Sequence, residues 1–201
     1  MDELRLYYPV KPFPINQVFG ANPDYYARFK DRFGNPEKGH MGLDLRAPHG
    51  TPVYAACDGL IHYEKDAHGG EGMVIRTGQF DYKGGQATFN VINWHLIGDT
   101  DSKFPSPIAT DGHTYPISAG DLVGYADNTG APFESSGDHL HVGLVPFDDS
   151  GNAIEAHNGF NGCIDPTTYF VGIYAQDLQG LYSYYRALVD VLTKLLALKK
   201  S

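Results

Sequence analysis

The chain has 201 residues, a formal net charge of −9 and a pI near 5.3. With 42% hydrophobic and 19% charged residues it reads as one sizeable globular domain with its own core, not a disordered chain. No basic cluster precedes Lys199-Lys200, which excludes a nucleic-acid footprint and makes an anionic membrane surface an equally poor partner.

Glycine (24), proline (13) and tyrosine (14) are plentiful, a mix that suits many short strands joined by turns. The N-terminus opens with charge and carries no apolar signal-peptide core, and nowhere do about eighteen apolar residues run together. The chain therefore reads as soluble, without membrane insertion and without an export address. Cys57 and Cys163 form no Cys-x-x-Cys pair, so a cysteine zinc site is not indicated. One disulfide or two thiols both fit.

Residues 1–38 are rich in proline, aromatics and glycine and predict an extended segment packing on the domain. Within it, Val18-Phe19-Gly20 predicts a short strand, and Asn22 to Tyr26 a turn or short helical start. Residues 40–63 predict two strands around a turn at Ala47 to Pro52, with Val53 to Cys57 and Leu60 to Tyr63 as apolar runs. Gly69 to Gly72 reads as a turn before a strand at Met73 to Arg76. Phe89 to Leu96 is the next strand, its end carrying His95 beside the only tryptophan. Residues 97–116 form a long polar loop, of a length that often borders a functional cleft. Leu122 to Tyr125 is a strand, Asn128-Thr129-Gly130 leads into another loop, and Asp165 to Phe170 closes the domain. In the tail, Leu181, Tyr185, Leu188, Leu192 and Leu195 step by four and three, which predicts an amphipathic helix in 173–201. It either docks on its own domain or makes a weak self-association contact.

Two stretches carry chemistry. In His139-Leu140-His141-Val142 the histidines share one face of a strand, while Leu140 and Val142 turn to the core. In Gly39 to Leu45, His40, Gly42 and Asp44 alternate with Met41, Leu43 and Leu45. Histidine nitrogen and aspartate oxygen are ordinary zinc ligands, and three protein ligands plus water is the catalytic pattern. A straight strand would hold the His40 and Asp44 Cα atoms about 13 Å apart at roughly 3.3 Å per residue. The segment must bend to share an ion, and Gly39 and Gly42 permit that. Spacing alone leaves open which of His139 and His141 is a ligand. His49, His62, His68, His113 and His157 fall in loops or on exposed strand positions and read as non-catalytic.

These motifs resemble the lysostaphin/LytM-type zinc metallopeptidases. His40-x-x-x-Asp44 is followed by Ala47-Pro48-His49-Gly50-Thr51-Pro52-Val53 and Asp58-Gly59. Then come Trp94-His95-Leu96, Gly120-Asp121-Leu122-Val123-Gly124, Thr129-Gly130, His139-Leu140-His141 and Asp165-Pro166 with Tyr169. The resemblance spans about residues 17–170. The differences are the loops after His95 and after Gly130, which look longer, Asn93 where a tyrosine is usual, and Gly143 where a glutamate is common.

The resemblance implies a mainly β fold: an antiparallel sheet forming an open β-barrel-sandwich of the LytM type with long loops, plus the C-terminal α-helix. It places a metallopeptidase domain at 39–172. It implies one Zn2+ ion held by His40, Asp44 and His141, with His95 and His139 as the catalytic histidines beside it. Asn22-Pro23 followed by Tyr26 is similar to members whose tyrosine helps stabilise the oxyanion. The implied activity is endopeptidase hydrolysis of cross-link or stem peptides in bacterial peptidoglycan, at the cell wall, with a phage-type member as one option. No His-Glu-x-x-His helix and no Gly-x-Ser-x-Gly elbow offers another mechanism. The other readings are a non-enzymatic peptidoglycan-binding or activator module and a virion structural component.

Overall fold

Alternating apolar and polar residues organise the strands around one buried face. The computed structural model describes residues 2–11, 14–67, 69–98, 101–132 and 135–174. The strands are β1 (Ile15–Gln17), β2 (Leu43–Arg46), β3 (Pro52–Tyr54), β4 (Gly59–Asp66), β5 (Gly70–Tyr82), β6 (Gly85–Trp94), β7 (Tyr115–Ile117), β8 (Leu122–Tyr125) and β9 (His139–Phe147). A single turn of helix, α1 (Pro23–Tyr26), precedes β2, and a 3-10 turn at Pro166–Tyr169 follows β9. Seven strands form one antiparallel sheet in the order β1-β2-β9-β6-β5-β4-β7, and β3 pairs with β8 in a second. The mainly β, antiparallel architecture that the resemblance implies is what the described residues have.

The core face takes every second residue. Leu43 and Leu45 of β2, Leu140, Val142 and Leu144 of β9, Phe89 and Val91 of β6, Met73 and Ile75 of β5 and Ile61 of β4 are all buried. Val53 and Val123 of the small sheet join the same cluster. Each such side chain contributes about 1.5–3 kcal/mol by leaving water. Leu4, Leu6 and Val10 are buried in it too. The N-terminal segment is tied down by a bridge from Leu6 to Phe170 and by Tyr8 stacked on Phe170 at 4.3 Å.

Several boundaries differ from the sequence expectation: β6 is Gly85–Trp94 in place of Phe89 to Leu96, and β7 begins inside the loop expected at 97–116. The first strand is Ile15–Gln17, with Val18 to Gly20 beyond its end. Gly70 to Gly72 pair with β4 and so begin a 13-residue β5, where a turn was expected. The strand expected at Val53 to Cys57 is Pro52–Tyr54. Glycine marks a turn only when nothing else pairs the backbone. Here Gly72 is required by packing, because a Cβ would meet the Trp94 indole at 2.4 Å. Cys57 and Cys163 are buried free thiols. The tail helix expected at 173–201 lies outside the described residues, all but its first two positions.

A candidate metal centre

β9 lies between β2 and β6, and register does the first part of the assembly. Asp44 sits opposite His141, Arg46 opposite His139 and Trp94 opposite His141. Because side chains alternate, Asp44, His139 and His141 share the face turned away from the core. Asn93 registers with Met73 and Val142 instead, so this residue, which differs from the usual tyrosine, is fully buried on the core side.

His40 reaches the group through a bend at Met41 and Gly42, just before β2 begins. Gly39 has φ 148° and lies so close to the Gly20 backbone that a Cβ would come within 2.5 Å of its carbonyl oxygen. Gly42 makes the second contact that only glycine allows: a Cβ there would meet the His141 ring at 2.5 Å. Both bend glycines flagged by the distance argument therefore have a steric role.

The result is a triangle of donor atoms. His40 Nε2 lies 3.0 Å from His141 Nδ1 and 3.2 Å from Asp44 Oδ1, and His141 Nδ1 lies 3.0 Å from Asp44 Oδ1. Among the described residues this is the group of three that can hold a metal ion. Tetrahedral zinc with nitrogen and oxygen ligands at about 2.0–2.1 Å needs donor separations of about 3.3–3.4 Å. The triangle is within a few tenths of an ångström of that requirement. Its chemistry fits as well. Burial alone would raise the Asp44 carboxyl, but hydrogen bonds from His141 and His40 overturn this and hold it well below the usual carboxylate range. Burial holds His141 below the ordinary histidine range. An ionised carboxylate and a neutral imidazole are the forms that bind a divalent cation. The Nδ1–H of His40 donates to the Val18 carbonyl at 3.3 Å, leaving Nε2 as the donor atom.

Two more histidines border the triangle. His139 Nε2 is 3.6 Å from Asp44 Oδ1, and its Nδ1–H donates to the Gly137 carbonyl at 2.7 Å. His95 takes an unexpected route. An unbroken strand would carry it to the core face with Asn93. Its φ of 67° breaks the alternation and places its ring 4.5 Å from His139 and 6.2 Å from His141. Its Nδ1–H donates to the Thr129 carbonyl at 2.7 Å. Burial, then the nearby His139 and His141, pushes its pKa down to about 4. In both rings Nδ1 is tied to a backbone carbonyl, which leaves Nε2 as the other ring nitrogen.

Tyr26 of α1 stands on the other flank, its ring 6.0 Å from that of His40. Burial is the largest influence raising its hydroxyl to about 12, and that hydroxyl accepts a hydrogen bond from Gln17. His62 bonds Glu64, His113 sits beside Asp111 and His157 packs near Phe33, none of them in the cluster. His49 is at its rim. His68 lies outside the described residues. Sequence reasoning missed the carbonyls of Val18, Thr129 and Gly137 that orient the rings. No side-chain signal marks them, since any residue can supply a carbonyl.

No protein-family model and no curated protein matches the chain. Solved structures do resemble it. Csd3 of Helicobacter pylori is 20% identical with a TM-score of 0.51, over 96% of this chain and 44% of that one. The catalytic domain of the antimicrobial peptidase lysostaphin from Staphylococcus simulans is 19% identical with a TM-score of 0.49, over 78% and 91%. A zinc-containing peptidase from Vibrio cholerae is 22% identical with a TM-score of 0.48, over 81% and 39%. The chain thus spans less than half of the Vibrio and Helicobacter proteins. At these identities the likeness is one of fold.

Proposed function

We propose that the chain is a zinc-dependent endopeptidase that hydrolyses peptide bonds of bacterial peptidoglycan, in a domain spanning about residues 39–172. The observation that carries this reading is the donor triangle of His40, Asp44 and His141, with two further histidine rings on the same face. The motif order in the sequence and the lysostaphin-type and zinc-peptidase neighbours support it.

In this reading His40 Nε2, Asp44 Oδ1 and His141 Nδ1 hold one zinc ion. The bound ion supplies a water of pKa near 7 and a polarised scissile carbonyl. The residues of the chain do the rest. His95 starts neutral, because burial keeps its pKa at about 4. With Nδ1 of His95 and of His139 tied to a backbone carbonyl, each ring has Nε2 left to accept a proton. The pair takes a proton from the attacking water and returns one to the leaving amine as the C–N bond breaks. The buried Asp44 carboxylate lies 3.6 Å from His139 Nε2, so this ring stands directly beside the proposed metal ligands. Tyr26 keeps its proton at neutral pH and offers a donor to the developing oxyanion. The site of action is the cell wall. Among the described residues no helix is long and apolar enough to cross a membrane.

The test is a mass-spectrometric digest of purified peptidoglycan of several wall types, with the zinc-loaded protein and after chelation. New amine ends that vanish on chelation support the reading and identify the bond. No cleavage of any wall type overturns it in favour of a binding or structural role.

A further inference from the structure

We infer that His49 is a positioning residue for the two proposed catalytic histidines, a role that rests on the function proposed above. It lies in the turn between β2 and β3, outside the donor triangle, and ordinary spacing arguments give it no task. Three contacts converge on it. Its Nδ1–H donates to Asp127 Oδ1 at 2.8 Å, and its backbone N–H donates to Asp138 Oδ2 at 3.1 Å. The ring of Phe104, from the long loop after β6, meets its ring edge-on at 5.4 Å. That approach requires Gly50 next door, where a Cβ would strike Phe104 at 2.6 Å.

What makes these contacts matter is where the two aspartates sit. The Asp127 N–H donates to the His95 carbonyl at 2.7 Å, and the Asp127 carbonyl accepts from the His139 N–H at 3.2 Å. One residue's backbone therefore bridges the backbones of both histidines, whose rings are 4.5 Å apart. Asp138 is the residue just before His139. His49 thus fixes Asp127 through its side chain and the entry to β9 through its backbone. Among the described residues, His49 is the hydrogen-bond partner of the Asp127 carboxylate.

The pair is half exposed, with side-chain exposures of 49% for His49 and 26% for Asp127. Exposed pairs add little stability, so removing the imidazole leaves the fold in place. Reacting groups, in contrast, must be held within about half an ångström, and small misplacements far from the chemistry cost up to about a hundredfold in rate. Loss of this tie is therefore read in turnover and in local opening, not in folding.

The experiment compares the full-length zinc-loaded wild type with His49→Ala and His49→Asn. Asparagine places an amide N–H where the imidazole Nδ1–H stands. Amide hydrogen exchange is followed at Asp127 and His139, with Phe89 and Val91 of β6 as controls, alongside zinc content and amine release from purified peptidoglycan. In His49→Ala, exchange at Asp127 and His139 rises about tenfold with the β6 amides unchanged. Maximal amine release falls about tenfold at unchanged zinc content, and half-saturating peptidoglycan stays the same. His49→Asn restores both. Unchanged exchange at Asp127 and His139, or an asparagine variant that behaves like alanine, overturns the inference. If the wild type releases no amine ends, the proposed function fails, and the exchange measurement alone decides whether His49 holds this segment.

Discussion

The imidazole of His141 lies against the backbone of Gly42, where a Cβ would come within 2.5 Å of the ring and within 2.6 Å of the Val142 carbonyl oxygen. A proposed ligand residue and the bend that delivers another proposed ligand are therefore packed against one another. Backbone cannot yield as the end of a flexible side chain can, so Gly42→Ala must displace either the ring or the bend. Groups that support metal ligands are worth about 10–100-fold in metal affinity. Gly42→Ala is expected to weaken zinc binding by about that factor, measured by competition with a chromophoric chelator. Wild-type affinity in this variant would contradict the packing argument.

His139 and His141 are two residues apart but are assigned different tasks. His139→Ala is expected to retain one zinc per chain and lose about 10²–10⁴-fold in turnover, the usual contribution of proton transfer. His141→Ala is expected to lose the zinc itself. Metal analysis of the two purified variants separates the roles. A full zinc complement in His141→Ala, or near wild-type turnover in His139→Ala, would reverse the assignment.

Acidification gives a third check, on the metal-free chain. Burial, with His139 and His141 nearby, holds folded His95 at about 4, whereas an unfolded histidine titrates near 6.5. Between those values the unfolded chain takes up a proton that the folded chain refuses. Stability is unaffected above about pH 6.5 and falls as pH drops toward 4, by up to about 1.4 kcal/mol per unit for each such group. His141 acts in the same direction through burial. Asp44, held low, adds stability that is lost only below about pH 4, outside this window. The urea midpoint is expected to fall between pH 7 and pH 5, and to fall less in His95→Gln. A midpoint that is unchanged or higher at pH 5 would refute the shift.

Much of this site could be read from residue order. Period-two alternation put His139 and His141 on one face and Leu140 and Val142 in the core, because a half-buried strand leaves no other choice. The span between His40 and Asp44 demanded a bend, and Met41 and Gly42 form it. What alternation could not carry is His95. Its left-handed backbone turns a residue bound for the core toward the cluster, and nothing in Trp94-His95-Leu96 signals a φ of 67°. Val18 illustrates a second limit. It was expected in a strand, yet it lies past β1 and uses its carbonyl to orient His40. Backbone groups have no sequence code, so the partners that set each imidazole's orientation emerge only with the fold. His49 carries no sequence signal for a related reason: its importance depends on which backbone Asp127 bridges.

A donor triangle that holds one zinc ion needed for peptide hydrolysis ties turnover to metal content. The most direct measurement titrates metal-stripped protein with zinc and follows amine ends released from purified peptidoglycan in the same samples. Release is expected to be absent without metal and to rise in proportion to zinc, reaching a plateau at about one ion per chain. Full release from the metal-stripped protein, or none at one bound zinc per chain, would rule out this role for the triangle.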